Sequence, residues 1–329
     1  MRLPHLFLDN LCFTFGSADD LNRVLGDLID ADERQEVLRL AQLSLPPVTS
    51  TRSLAAMLGI NEGLIWSMLN RQQRHYRMFE IPKGRGTRSI TAPRVALKVI
   101  QKWLSVRIAA TYVPPDHVFG FVPHRSHLAA AATHLGANWV LSADVQNFFP
   151  STPEGLVEQH LIRLGFGEAG AALVARLACF RGALAQGAPC SPVLSNVCFL
   201  PVDRQLADIA ATLNLRLSRY ADDIVFSGDS QPPENLVERL QAALAQTPWA
   251  LAAHKTELAI LPKRLKVHGL LVQGPTVRLT KGYRNRIRAY RHLLDAGRIN
   301  ANDLPRVRGH LAYAHAVDAL AKPEQDGQE

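Results

Sequence analysis

Residues 215–228 read Leu-Arg-Leu-Ser-Arg-Tyr-Ala-Asp-Asp-Ile-Val-Phe-Ser-Gly. The first part of this stretch alternates leucine with polar residues, and Ile224 to Phe226 form a second, apolar run. The pattern predicts a strand, a tight turn and a strand, with the adjacent carboxylates of Asp222 and Asp223 at the tip. Neighbouring like charges repel, and a divalent cation would relieve that repulsion. An Asp-Asp pair alone is also typical of a solvated hairpin tip, because Asp is a common turn residue.

A third carboxylate, that of Asp144, ends the short apolar run Trp139 to Ala143. The aromatic residues Phe148 and Phe149 and a proline follow it. We therefore predict a buried strand that ends in the acid, with a helix beginning near Ser151. Carboxylates that converge from the ends of separate strands can hold two Mg²⁺ ions roughly 3.5 to 4 Å apart for phosphoryl transfer.

Positive charge is concentrated in two blocks of this 329-residue chain, whose formal net charge is +8. Residues 71–107 contain ten Lys and Arg against one acid, and residues 263–308 contain twelve against two, so the remainder is net acidic. With 47 % hydrophobic and 20 % charged residues, the composition is that of a globular protein and excludes a disordered one. Two separate basic blocks indicate two surfaces that grip a polyanion, although either block alone also fits a solvated helix face.

The four cysteines show no C-x-x-C pair and no histidine at zinc-ligand spacing. This favours reduced thiols in a cytoplasmic protein. A proline and an aspartate interrupt the first ten residues, which predicts neither a signal peptide nor a membrane span.

Three segments together resemble the palm of reverse transcriptases. The segment Tyr220-Ala221-Asp222-Asp223 matches the catalytic turn of that family, Asp144 matches its first metal-binding aspartate, and Gln186 to Pro192 with Ser195-Asn196 matches the segment between them. The resemblance implies an α+β right-hand polymerase fold of fingers, palm and thumb. It also implies that Asp144, Asp222 and Asp223 are catalytic and bind two Mg²⁺ ions, one lowering the pKa of the primer hydroxyl and the other neutralising the leaving pyrophosphate.

The same resemblance divides the chain into three regions. Residues 1–75 form an N-terminal helical extension, 76–275 the fingers and palm, and 276–329 a helical thumb. Within the first region, residues 53–70 also look like a helix-turn-helix, although two packed helices need the same pattern merely to bury their apolar faces.

A basic hairpin is predicted over Phe79 to Pro93, where strand residues flank the turn Lys83-Gly84-Arg85-Gly86. By resemblance it closes over the incoming deoxynucleoside triphosphate, with Lys83 and Arg88 on its phosphates. Lys255 matches the lysine near the leaving pyrophosphate and is a candidate general acid. Alternatively, the hairpin is only a basic surface hairpin, and Lys255 is only a solvated surface lysine.

Two further residues are expected to contact the nucleotide. Phe149 lies where the family places a ring beneath the sugar, and that ring would exclude a 2′-hydroxyl. Gln186 offers amide hydrogen bonds beside a glycine that lets a base pair approach the backbone. Taken alone, Phe149 could equally be a core aromatic, and the Gln186 segment could be a plain loop.

Within reverse transcriptases the chain is most similar to the bacterial retron type. The features behind this are the compact length, the hairpin from residue 81 to 93, the segment Phe226-Ser227-Gly228 and the pattern Arg308 to Tyr313. Two retron markers differ, because His134 follows Ala-Ala-Ala-Thr where Asn-Ala-x-x is usual, and His268 replaces the Thr of Val-Thr-Gly. Group II intron, diversity-generating and other phage-defence reverse transcriptases stay open, as does a non-catalytic RNA-binding scaffold.

The C-terminal basic block is expected to bind RNA. Residues from Lys281 onward predict a helix with Ile287 on one side and Arg284, Arg288 and Arg291 on another. The resemblance implies a dedicated structured non-coding RNA that supplies template and primer, its complementary DNA, and a role in antiphage defence with a separate effector protein.

Overall fold

The computed structural model describes residues 8–84 and 86–320. The chain folds into two compact units, and each is discontinuous in sequence. Unit 1 comprises the residues up to 115 with 146–202 and 244–249, and unit 2 comprises 116–145, 203–243 and the residues from 250 onward. The mixture of helices and antiparallel sheets is α+β, as predicted. The three-region division stays a prediction.

Twelve α-helices lie within the described residues. In chain order they are α1 (Ala18–Leu25), α2 (Ala31–Gln42), α3 (Thr51–Leu58), α4 (Glu62–Asn70), α5 (Val95–Thr111), α6 (His127–Ala132), α7 (Glu154–Leu164), α8 (Glu168–Ala178), α9 (Ser191–Thr212), α10 (Leu236–Leu244), α11 (Lys281–Asp295) and α12 (Leu304–Leu320).

The same part of the chain contains eleven strands. They are β1 (Tyr76–Lys83), β2 (Gly86–Pro93), β3 (Trp139–Asp144), β4 (Cys179–Phe180), β5 (Ala183–Leu184), β6 (Arg216–Tyr220), β7 (Asp223–Gly228), β8 (Glu257–Ile260), β9 (Lys266–Val267), β10 (Leu270–Leu271) and β11 (Arg278–Leu279).

Side-chain caps set the ends of the first helices of unit 1. The Ser17 side chain accepts a hydrogen bond from the Asp20 N–H at the start of α1, and Ser50 and Ser53 form a capping box on α3. Helix α3 ends at Gly59, whose φ of 62° is the left-handed conformation that glycine adopts most readily. Both helices lie within the region 1–75 that was predicted to be helical.

Strands β1 and β2 form the predicted hairpin of unit 1, and their antiparallel register pairs Tyr76 with Pro93 and Lys83 with Gly86. Helix α7 begins at Glu154, three residues later than predicted. The reason is a tight turn, in which the N–H of Ser151 donates to the carbonyl of Asn147 and that of Thr152 donates to Phe149.

A four-stranded antiparallel sheet in the order β6-β7-β3-β8 organises unit 2. Strands β6 and β7 pair from Arg216–Ser227 to Tyr220–Asp223, which leaves the two-residue turn Ala221-Asp222. The predicted strand-turn-strand is therefore confirmed. Strand β3 lies between β7 and β8 and is buried at Trp139, Val140 and Leu141.

The C-terminal part of unit 2 combines a small sheet with two helices. Strands β9 and β10 form a short hairpin, and β11 adds to β10. Helices α11 and α12 contribute Ile287, Ala314 and Val317 to a core that also contains Val140 and Val225 of the large sheet. Within the described residues, no helix is long and apolar enough to cross a membrane.

Candidate active site

Three aspartates lie at the same end of the large sheet of unit 2. Asp144 is the last residue of β3, Asp223 is the first of β7, and the register places them directly opposite each other. Asp222 occupies the turn before β7, and its carbonyl accepts a hydrogen bond of 2.8 Å from the Val145 N–H. The sheet thus brings together residues that lie almost eighty positions apart in the sequence.

The electrostatics of this cluster favour a cation. Burial raises the pKa of Asp222, and the nearby Asp144 carboxylate raises it further. Two basic side chains approach the other acids: Lys255 Nζ lies 2.5 Å from Asp144 Oδ1, and His268 Nδ1 lies 3.0 Å from Asp223 Oδ2.

Carboxylate oxygens that repel one another in a partly buried site are the hard ligands that Mg²⁺ binds, so these residues fit a divalent cation. Among the described residues, no three His, Cys, Asp or Glu side chains are already spaced as a metal cluster. Instead, Asp144 Oδ1 contacts Lys255 and Asp223 Oδ2 contacts His268. A bound cation would therefore have to replace Lys255 on Asp144.

A buried ion pair holds the turn that carries Asp222. The Arg219 and Asp203 side chains are both 0 % exposed, and two bonds of 2.6 Å join Arg219 Nε and Nη2 to the Asp203 carboxylate. Arg219 Nη1 also donates to the Ala221 carbonyl at 2.9 Å. Burial alone would raise the pKa of Asp203, but the Arg219 charge and hydrogen bonds from His117 and Arg219 lower it below its usual value.

Gly120 packs against the same turn from the preceding loop. The N–H groups of Phe119 and Gly120 donate to the Arg219 carbonyl at 2.8 and 3.3 Å. A Cβ atom on Gly120 would lie 2.1 Å from the backbone nitrogen of Ala221, which itself has a φ of 60°. Only glycine leaves room for this approach.

The residues predicted for the nucleotide are divided between the two units. Lys255 lies beside Asp144 in unit 2, as described above. Arg88, Phe149 and Gln186 belong to unit 1, and the side chain of Lys83 lies outside the part that the structure describes. The contact of these residues with a nucleotide stays a prediction.

The two neighbouring phenylalanines, Phe148 and Phe149, differ in how deeply they are buried. Phe148 is 4 % exposed and packs edge-on against Phe199, 5.3 Å between ring centroids. Phe149 is half-buried, with its centroid 5.7 Å from that of Phe148. Phe148 is therefore the core aromatic of the pair, and Phe149 retains a solvent-accessible part.

The segment of Gln186 supports the β1–β2 hairpin. The Gln186 carbonyl accepts a hydrogen bond of 2.8 Å from Thr91, and a Cβ atom on Gly187 would lie 2.8 Å from the Ile90 side chain. With a φ of 118°, Gly187 has a conformation that other residues rarely adopt. Close packing against strand β2 therefore requires a glycine at this position, and the approach of a base pair to it stays a prediction.

Sequence reasoning missed several residues that support the site. It singled out neither Asp203 nor Arg219, and it treated His134 and His268 only as departures from a pattern. His134 is completely buried and bonds Ser227 Oγ through Nδ1 and Ser218 Oγ through Nε2, each at 2.7 Å. The polar residues that interrupt the apolar alternation of β6 and β7 were the available signal.

The predicted RNA-binding arginines Arg284, Arg288 and Arg291 are exposed on α11. Arg284 also lines a cavity of about 170 Å³ in unit 2 with three other cations. These are Arg264, Arg278 and Lys281.

Comparison with known proteins gives a consistent result. A sequence profile for "Reverse transcriptase (RNA-dependent DNA polymerase)" matches residues 81–272. The retron Mx65 reverse transcriptase of Myxococcus xanthus is 33 % identical over 328 residues, covering 92 % of this chain and 74 % of that protein. The retron Mx162 enzyme of the same organism is 30 % identical, with coverages of 89 % and 69 %. The retron Ec86 reverse transcriptase of Escherichia coli is 26 % identical, with coverages of 87 % and 90 %.

Proposed function

The chain belongs to the reverse transcriptase (RNA-dependent DNA polymerase) family, and we propose that Asp144, Asp222 and Asp223 are its catalytic residues. It is an RNA-directed DNA polymerase of the retron type. The observation that supports the proposed site is the placement of the three aspartates side by side, at the end of β3 and in the β6–β7 turn.

The chemistry follows from this arrangement. Two Mg²⁺ ions bound by the aspartates would lower the pKa of the primer 3′-hydroxyl and supply positive charge to the leaving pyrophosphate. The Arg219–Asp203 pair holds the turn so that the carboxylates keep their positions. A cation bound to Asp144 would release Lys255 from its 2.5 Å contact with that carboxylate, and the freed ammonium group would donate a proton to the pyrophosphate as it leaves.

The incoming deoxynucleoside triphosphate would be held by residues of unit 1. Lys83 and Arg88 would contact its phosphates, Gln186 would hydrogen-bond the base pair, and Phe149 would pack beneath the sugar. The half-buried state of Phe149 supports this role, because part of its ring is available to a ligand.

Replacing either acid by its amide tests the catalytic assignment. Asp144→Asn or Asp222→Asn should abolish extension of oligo(dT) on poly(rA), because a neutral amide is a poor ligand for Mg²⁺. RNA binding should remain close to that of the wild type. Asp208→Asn, an exposed position on α9, is the matched control and should keep full activity. Synthesis near the wild-type rate in either active-site variant would overturn the assignment.

The second part of the proposal is a structured non-coding RNA that supplies both template and primer. A-form RNA is recognised mainly through phosphates, 2′-hydroxyls and single-stranded loops. The exposed arginines of α11 and the neighbouring cationic cavity offer several phosphate contacts, which supports an RNA partner on this surface.

Salt dependence measures those contacts. Replacing Arg284, Arg288 and Arg291 together by Gln should reduce the slope of log binding constant against log salt by about two to three units. A control that removes Arg23, Arg52 and Arg163 of unit 1 changes the net charge equally and should leave the slope nearly unchanged. An equal effect of the two triple variants would contradict a specific RNA surface on α11.

We further propose that the RNA is encoded beside the gene and that its hybrid with complementary DNA serves antiphage defence, together with a separate effector protein. Sequencing the nucleic acid that co-purifies from the native host tests this. One abundant short RNA joined to complementary DNA is the expected result, and a broad mixture of cellular RNAs would refute it.

A further inference from the structure

Unit 1 contains a second concentration of positive charge, formed by residues other than those proposed above to contact the nucleotide or the RNA. It surrounds a cavity of about 590 Å³ between the end of α4, the 3-10 turn that follows, and the β4–β5 hairpin. We call it the arginine pocket. Its polar lining consists of Asn70, Arg71, Gln72, Gln73, Arg74 and Arg181.

The arginines of this pocket lack a counter-charge. In residues 8–84 and 86–320, no carboxylate forms an ion pair with Arg71, Arg74 or Arg181. Arg71 Cζ lies 5.2 Å from the centroid of the Trp66 ring, and Arg181 Cζ lies 5.2 Å from that of Phe180. Stacking on a ring orients a guanidinium group while its N–H groups remain available to an anion.

A glutamine fixes the geometry of the pocket. The Gln72 amide nitrogen donates to the carbonyls of Arg176 and Cys179, each at 3.4 Å, and its oxygen accepts a hydrogen bond of 3.1 Å from the Arg181 N–H. One side chain thus fastens the turn after α4 to the end of α8 and to the hairpin. The backbone segments that carry the arginines are thus held before a ligand arrives, which lowers the entropic cost of binding.

The backbone at Arg181 is unfavourable for an arginine. Arg181 and Gly182 form the two-residue turn between β4 and β5, with φ values of 54° and 81°. Positive φ at both positions is the type I′ turn, which Asn-Gly normally occupies. An arginine at the first position carries strain that Asn would avoid, and strain of this kind concentrates at functional positions. The side chain of Arg181 therefore points to a role beyond folding.

We propose that the arginine pocket binds consecutive phosphates of a single-stranded RNA segment. Three uncompensated guanidinium groups match a polyphosphate backbone, and the exposed Gln73 amide can hydrogen-bond a 2′-hydroxyl or a base edge. The choice of RNA as the ligand rests on the proposed function. The site adds a contact that neither the carboxylates nor α11 supplies.

Fluorescence anisotropy of the full chain with a labelled single-stranded oligoribonucleotide tests the pocket. The double variant Arg71→Gln/Arg181→Asn removes two phosphate contacts, so its salt slope should fall by about 1.4 units and its Kd should rise roughly 25-fold at 0.1 M salt. The control Arg23→Gln/Arg163→Gln removes the same charge from exposed positions of unit 1 and should bind like the wild type.

Stability separates a binding role from a structural one. Arg181→Asn places the preferred residue in the type I′ turn, so this single variant should unfold at the same or a higher temperature while binding RNA more weakly. RNA affinity equal to that of the wild type in a folded double variant would overturn the proposal.

Competition identifies the ligand class. Unlabelled oligoribonucleotide should displace the probe, whereas 5′-AMP and inorganic phosphate at the same concentration should not. Displacement by either small molecule would mean that the pocket serves a free phosphate compound, which refutes the RNA assignment. Because the readout is RNA binding and not DNA synthesis, the two failures differ: without the pocket site the double variant binds RNA like the wild type, whereas without the proposed function the wild-type chain does not extend a primer.

Discussion

Replacing Gly120 by Ala should damage DNA synthesis far more than it damages folding. The added Cβ atom would lie 2.1 Å from the Ala221 nitrogen and 2.8 Å from the Tyr220 carbonyl carbon, whereas ordinary contact begins at 3.4 Å. Backbone atoms cannot rotate away, so the loop and the β6–β7 turn must separate by about 1.3 Å. A misplacement of about 1 Å in a catalytic constellation costs on the order of 100-fold in rate.

Single-turnover primer extension on poly(rA) with oligo(dT) measures this loss directly. Overpacking of this size costs about 1 to 3 kcal/mol, which a domain with the usual stability of about 5 to 15 kcal/mol survives, and thermal unfolding checks that it does. Gly155→Ala is the matched control, because nothing lies within 4 Å of its added Cβ atom. A folded Gly120→Ala variant that synthesises DNA at a rate within twofold of the wild type would show that the close packing of Gly120 on the β6–β7 turn does not position the aspartates.

Two further substitutions test the interior of unit 2 and the sugar contact. Asp203→Asn should lower the free energy of unfolding, measured by urea denaturation, by about 3 to 5 kcal/mol, because it leaves the Arg219 guanidinium buried without a counter-charge. The folded-state pKa of Asp203 is lowered, so its stabilisation is present above the ordinary carboxyl pKa and is lost as the pH falls through the lowered value. The difference in free energy of unfolding between the wild type and Asp203→Asn should therefore become smaller at acidic pH. A difference that does not change with pH would contradict this. Phe149→Ala should raise ribonucleotide incorporation relative to deoxynucleotide, and an unchanged ratio in a folded variant would make Phe149 only a packing residue.

Patterns of neighbouring residues in the sequence were sufficient to predict strands β3, β6 and β7 and the turn that carries Asp222. Alternation with period two located β6 and β7, and an apolar run ending in an acid located β3, because side-chain direction in a strand follows directly from sequence position. The same patterns could not predict the side-chain contacts that support the site. Arg219 meets Asp203 across 16 positions and His268 meets Asp223 across 45, and only the folded chain brings such residues together.

The same limit explains the misplaced start of α7. Its first turn is preceded by the hydrogen bonds that fold residues 147–152 into a turn, and Pro153 occupies the N-cap position. Composition alone does not distinguish a capped helix start from a tight turn that immediately precedes it. The close approach of Gly120 to the backbone of Ala221 could not be predicted either, since Ala221 lies about a hundred residues further along the chain.

The discontinuity of unit 2 has a consequence for how the protein is made. Strand β3 leaves the ribosome long before its partner β7, because Asp144 and the paired Asp223 are separated by 79 residues of chain. At a synthesis rate of about 5 to 20 residues per second, β3 waits roughly 4 to 16 s with both edges unpaired. During that interval Trp139, Val140 and Leu141, all buried in the finished sheet, are exposed on a strand open to pairing with other chains. Slower synthesis or a higher temperature should therefore lower the yield of native protein through aggregation of nascent chains, and a chaperone that covers this strand should restore it.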